Sequence, residues 1–184
     1  MSDRRPSALT RRRFLSASTA TGALMATAAA LPVLATTERR TLSFKHTHTG
    51  ETLHADYFID GIYQPDVLTA INHLLRDFRT GDVHAIDPEL LDLLNDLSFL
   101  TGVEAPYQVI SAYRSPATNA MLRSTSDGVA EHSQHMLGKA IDIRVAGVPT
   151  PSLGAMARTL ARGGVGIYPE SDFVHVDTGA VRNW

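Results

Sequence analysis

Residues 133–144 read SQHMLGKAIDIR. Ile141 and Ile143 alternate with Ala140, Asp142 and Arg144, which predicts a strand over residues 140–145 that turns its isoleucines into a core and carries Asp142 on the opposite face. Gly138 supplies the turn before that strand, and His135 sits on the turn, able to fold back beside Asp142. A second stretch, residues 172–177, reads DFVHVD, with Val174 and Val176 alternating with Phe173, His175 and Asp177. If the two strands are neighbours, His135, Asp142 and His175 converge. Two imidazoles and one carboxylate suit zinc or another divalent metal and leave a fourth position for water.

The surrounding chain predicts an α+β fold, helices packed on a mostly antiparallel sheet. Residues 41–45 and 51–58 alternate as a hairpin around the polar turn at 47–50, with Leu42 and Phe44 on one face and Leu53, Ala55 and Tyr57 on another. His46, His48 and His54 read as solvated positions in and beside an exposed hairpin, since no carboxylate lies at matching spacing for a metal. Pro65 opens an amphipathic helix with Val67, Leu68, Ile71, Leu74, Leu75 and Phe78 on one stripe, ending near Thr80 and Gly81. Asp87 caps the next helix, Pro88 starts it, and Leu90, Leu91, Leu94 and Leu97 form its buried stripe.

Residues 107–113 predict a strand running into Arg114-Ser115-Pro116, where Pro116 opens a short helix through Leu122. Arg114 thus sits at a junction suited to facing a ligand, although a surface ion pair is the simpler reading of the residue by itself. Residues 123–131 are polar and predict a loop leading to His135. A helix over residues 150–162 ended by Gly163 and Gly164, and strands over 165–168 and 173–178, complete the pattern.

Composition narrows the function. The chain has 184 residues, 43% of them apolar and 20% charged, as in an ordinary globular domain. It has no cysteine, which excludes disulfides, thiolate metal sites, a cysteine nucleophile and a lipidated cysteine, and leaves its 8 histidines as the nitrogen ligands. Thr10-Arg11-Arg12-Arg13-Phe14-Leu15, an Ala-rich apolar stretch to Leu34 and the small-residue exit at Val33-Leu34-Ala35 read as a twin-arginine export signal over residues 1–35, cleaved after Ala35 to leave a single domain over 36–184. Gly22, Pro32 and the many Ala, Thr and Ser residues weaken that stretch as a permanent span, so no stable membrane insertion is expected after cleavage. Cleavage removes five arginines and one aspartate, leaving 12 basic and 18 acidic side chains and a formal charge of −6. That balance argues against nucleic acid as a partner and suits the periplasm or cell wall.

The motif SxHxxGxAxD, here Ser133, His135, Gly138, Ala140 and Asp142, followed by acidic-x-x-His, here Asp172 and His175, resembles the zinc D-Ala-D-Ala peptidases. This metallopeptidase group includes the VanX dipeptidase and phage L-alanyl-D-glutamate endolysins and shares its fold with the hedgehog signalling domain. The resemblance is closest to exported murein endopeptidases of the MepK type, through Tyr113-Arg114-Ser115-Pro116, Gly164-Val165-Gly166-Ile167-Tyr168-Pro169 and His175-Val176-Asp177-Thr178-Gly179, and covers roughly residues 41–184.

The resemblance implies one zinc ion held by His135, Asp142 and His175, Asp172 as general base, and Arg114 as a clamp on the substrate carbonyl or the oxyanion. Ser133, His132 and Asp177 stand beside them as substrate or supporting positions. The implied reaction is metal-assisted hydrolysis of peptide cross-links in peptidoglycan. The same motifs also serve D,D- or L,D-carboxypeptidases and dipeptidases acting on stem peptides, and a zinc-stabilised module could hold cell-wall peptide without cutting it. Relatives often carry a histidine two residues before the last ligand; Phe173 stands there, which leaves the base role to Asp172. Alternation would put Asp172 on the face opposite His175 unless a strand begins at Phe173 and residues 170–172 form a turn. Glu131 and His132 are nearby substitutes for the base.

Overall fold

In the computed structural model, residues 38–126 and 128–184 are described; the expected export signal over residues 1–35 lies outside them. Alternating apolar residues over Ala140–Val145 form β5, buried at every position except the half-buried Arg144. Around it lie β1 (Arg39–His46), β2 (Thr52–Ile59), β3 (Ile62–Tyr63), β4 (Tyr107–Ser111), β6 (Gly164–Tyr168), β7 (Phe173–Asp177) and β8 (Arg182–Asn183). They form one sheet in the order β3-β2-β1-β4-β5-β7-β6-β8. Only the β1–β4 and β6–β8 pairs are parallel, so the sheet is mostly antiparallel and β5 sits near its middle.

Helices α1 (Pro65–Leu74), α2 (Pro88–Thr101) and α4 (Thr150–Leu160) pack against the sheet, α1 on β2, α2 on β1, and α4 on β5, β6 and β7. A further helix, α3 (Pro116–Thr125), follows β4. Ile141, Ile143, Val174 and Val176 join the leucines of α2 in one buried cluster, each such side chain contributing roughly 1.5–3 kcal/mol by its removal from water. Because strand side chains alternate, the same burial turns Asp142, Arg144, His175 and Asp177 to the other face. Among the described residues, no helix is long and apolar enough to cross a membrane.

The hairpin, β5 and the proline-started helices form as the sequence predicts, with Asp87 accepting from the Glu89 amide at 3.0 Å. Three expectations need correction. His46 is not a solvated hairpin position: β1 runs one residue beyond Lys45 and lies between β2 and β4, so His46 takes the core-facing place after Leu42 and Phe44 and is 0% exposed. It packs edge-on against Phe78, 5.5 Å between ring centroids. Helix α1 ends at Leu74 rather than near Gly81, because the Leu75 carbonyl accepts from the Tyr113 amide and Asp77 turns inward to the Arg79 and Ser115 amides. Helix α4 is terminated by Ala161 in the left-handed region at φ 50°, not by the glycines after it; Gly163 is instead pressed against the Asp177 carbonyl, where a side chain would collide.

Candidate metal centre

Asp142 and His175 are paired residues of the antiparallel β5–β7 ladder, which brings their side chains together on the open face. His135 reaches them from a 3₁₀ turn over Gln134–Leu137 that Ser133 caps by accepting the His135 amide at 3.3 Å. The turn ends at Gly138 with φ +67°, a conformation in which a Cβ would also strike the Ala85 carbonyl. All three side chains are buried.

The distances around the trio are short and similar. His135 Nε2 lies 3.2 Å from His175 Nδ1 and 3.3 Å from Asp142 Oδ1, and His175 Nδ1 lies 2.9 Å from the same oxygen. Tetrahedral zinc with ligands at about 2.0–2.1 Å has neighbouring ligand atoms roughly 3.3 Å apart.

The remaining ring nitrogens fix the tautomers. His135 Nδ1 donates to the Ala112 carbonyl at 2.6 Å, and His175 Nε2 donates to Asp177 Oδ2 at 2.9 Å. Both acceptors lack a proton to give, so in neutral imidazoles the inward nitrogens are lone pairs aimed at each other and at a carboxylate oxygen. In that state the three converging atoms form a donor set that could hold a metal ion. The electrostatics agree. Burial would lower the His175 pKa, but hydrogen bonds to Asp142 and Asp177 hold it up at about 9. Burial likewise opposes ionisation of Asp142, yet the two histidines keep its carboxyl far below the usual range. The charges of His175 and Asp142 thus support each other, while burial keeps the pKa of His135 below its ordinary value.

Asp177 is itself anchored. Arg182 Nη2 donates to it at 2.6 Å and the Gly164 and Gly179 amides at 3.0 and 2.8 Å. A one-residue irregularity at Ile110 in β4 puts Ser111 opposite Asp142, and Arg114 Nη2 lies 3.4 Å from both Ser111 Oγ and Asp142 Oδ2. Burial lowers the pKa of Arg114, with Asp142 opposing, and its buried Nε has no partner among the described residues. The guanidinium thus lies beside the trio, its Nη2 rather than its buried Nε facing Asp142.

The other expected positions fall elsewhere. Asp172 does lie in a turn, with β7 starting at Phe173, but its carboxylate is outside the trio: it accepts from Thr150 Oγ1 at 2.7 Å and from Arg144 Nη1 at 3.2 Å, on a backbone at φ 51°. Glu131 and His132 are exposed, and Glu131 pairs with Arg123 at 3.4 Å. One residue not singled out from sequence completes the wall. Trp184 crosses the open face, its ring centroid 5.3 Å from that of His175 and its Nε1 donating to Tyr168 at 2.7 Å. It fits because Gly166, paired with His175 in the β6–β7 ladder, has no Cβ; one added there would lie 2.6 Å from the indole. The signal available was the Gly166 position inside a strand, which marks a close approach.

Comparison with known proteins gives a family match and individual relatives. The profile of the family described as peptidoglycan L,D-endopeptidase MepK matches residues 34–184. The chain is 43% identical over 155 residues to the probable peptidoglycan L,D-endopeptidase MepK of Haemophilus influenzae, covering 84% of this chain and 83% of that protein. It is 41% identical over 165 residues to the peptidoglycan L,D-endopeptidase MepK of Escherichia coli strain K12, covering 90% and 91%. The crystal structure of Serratia marcescens L-Ala D-Glu endopeptidase ChiX overlaps 42% of this chain and 62% of its own at 20% identity, with a TM-score of 0.33.

Proposed function

Since this chain belongs to the family of peptidoglycan L,D-endopeptidase MepK, we propose that it is a zinc-dependent endopeptidase that hydrolyses peptide cross-links of peptidoglycan. The observation that carries the reading is the convergence of His135 Nε2, Asp142 Oδ1 and His175 Nδ1 with both histidine tautomers set from outside. A set of two imidazoles and one carboxylate supports zinc as the metal. When bound, zinc would acidify a water toward a pKa of ~7 and polarise the scissile carbonyl.

The chain's own groups supply the rest. Arg114, whose Nη2 lies 3.4 Å from Asp142 Oδ2, stabilises the negative charge that develops on the carbonyl oxygen. Asp172 is the proposed base that takes the proton from the attacking water and later returns one to the leaving amine. For that role its carboxylate has to leave Thr150 and Arg144. Ser133 and Asp177 hold the ligands from behind. Residues 1–35 would act as a twin-arginine signal delivering the domain to the periplasm, where cross-linked murein is the substrate.

The test is digestion of purified cross-linked murein. Soluble fragments should appear, stop on chelation and return with zinc, and their masses should show cleavage within cross-links. Release of terminal D-alanine alone would make the protein a carboxypeptidase, and binding without fragments would make it a binding module.

A further inference from the structure

On the open face, one alternation beyond Asp142 and about 6.6 Å along β5, stands Arg144. Its Nε donates to Gln108 Oε1 at 2.8 Å, which fixes the plane of the guanidinium. A cavity of about 640 Å³ opens there, floored by Gln108, Arg144 and Asp172 and walled by the turn over residues 145–149. A fixed guanidinium presents a fork that matches a carboxylate through two parallel bonds. Asp172 uses that fork poorly. Its Oδ2 takes a single 3.2 Å bond from Arg144 while its Oδ1 goes to Thr150.

We propose that Arg144 and Gln108 form a subsite for a substrate carboxylate, which Asp172 fills in the free protein and vacates when that carboxylate arrives. The subsite rests on the endopeptidase reading and deepens it, since the group that leaves Arg144 is the proposed base. Two features make the exchange favourable. The Arg144 and Asp172 side chains are 37% and 63% exposed, so their pairing is solvent-screened and weak. The incoming carboxylate can use both arms of the fork where Asp172 uses one. The ligand class is a peptide with a free carboxylate about one residue from the scissile bond. A diaminopimelate residue in a cross-link carries one at its second centre, and a stem-peptide C-terminus carries another.

The test measures binding of a defined diaminopimelate cross-linked peptide to metal-free protein by calorimetry. Two analogues are run beside it, one with the diaminopimelate carboxylate amidated and one with the C-terminus amidated. Arg144→Gln should weaken binding of the free acid roughly 10- to 100-fold and leave one of the two amides unchanged, which identifies the carboxylate recognised. Asp172→Asn, which removes the charge that occupies the fork, should tighten binding of the free acid several-fold and not of that amide. With zinc-loaded protein, Arg144→Gln should raise KM more than it lowers kcat. Equal binding of acid and both amides by the unaltered protein, or no tightening in Asp172→Asn, overturns the subsite. The endopeptidase reading fails separately, if the unaltered protein binds the cross-linked peptide but does not cleave it.

Discussion

At the scale of single residues, His175 depends on Asp177. The carboxylate accepts from Nε2 and so leaves Nδ1 to face His135 and Asp142. Asp177→Asn keeps the shape and weakens the acceptor, and metal affinity should fall about 10- to 100-fold in chelator competition; an unchanged affinity would remove Asp177 from the metal's support. Asp172→Asn has the opposite signature: turnover should be lost while zinc content stays near one per chain, and retained turnover would exclude Asp172 as base. The faces of Asp142, His175 and Asp177 were legible in sequence from alternation, and the turn under His135 from Gly138, whereas their meeting depended on β7 lying beside β5, which the ladder supplies. The pairing of Arg144 with Gln108 and Asp172 was not legible, because it depends on which strand lies beside β5 and in what register. His46 misled for a related reason, since nothing near it in sequence announces that β4 covers the far side of β1.

At the scale of elements, the ends carry the information. Helix α1 keeps an apolar stripe past Leu74, yet the chain leaves the helix there so that Asp77 can accept the Ser115 amide at 2.9 Å and the Arg79 amide at 3.0 Å. Asp77 is 1% exposed and ties the start of α3, and with it Arg114, to the rest of the fold. Burial disfavours its charge, but hydrogen bonds from Thr118, Ser115 and Arg79 prevail and hold its pKa down to about 2. A carboxyl depressed in the folded state adds stability above its unfolded pKa, near 3.9. That stability, on the order of 2 kcal/mol, should therefore be lost as pH falls from about 4 to about 2. In Asp77→Asn this part of the acid transition should disappear and stability at neutral pH should fall by ~1–3 kcal/mol, both measured by urea unfolding across pH. A mutant as stable as the parent at pH 7 would contradict the anchoring role. Proline at N1 and aspartate at the cap made helix starts readable. Helix stops were not, because distant partners such as Tyr113 decide them.

At the scale of the whole molecule, the sheet separates two tasks: helices on one face supply the core, and the other face gathers charged and aromatic groups around three converging lone pairs. A metal that binds only this folded arrangement stabilises it by mass action, by about 4 kcal/mol at a thousandfold excess over its dissociation constant. Thermal melting should accordingly shift down by several degrees on chelation and recover with zinc; a melting temperature indifferent to both would mean that the trio takes no metal. The placement of Trp184 has an optical consequence. It is the sole tryptophan of the chain, and its ring lies against that of His175. An indole's emission responds to the charge of a neighbouring imidazole, so intrinsic fluorescence of the unlabelled protein becomes a direct gauge of what His175 is bonded to. A zinc titration followed at the tryptophan band should saturate at one equivalent, with no second fluorophore of that kind to subtract.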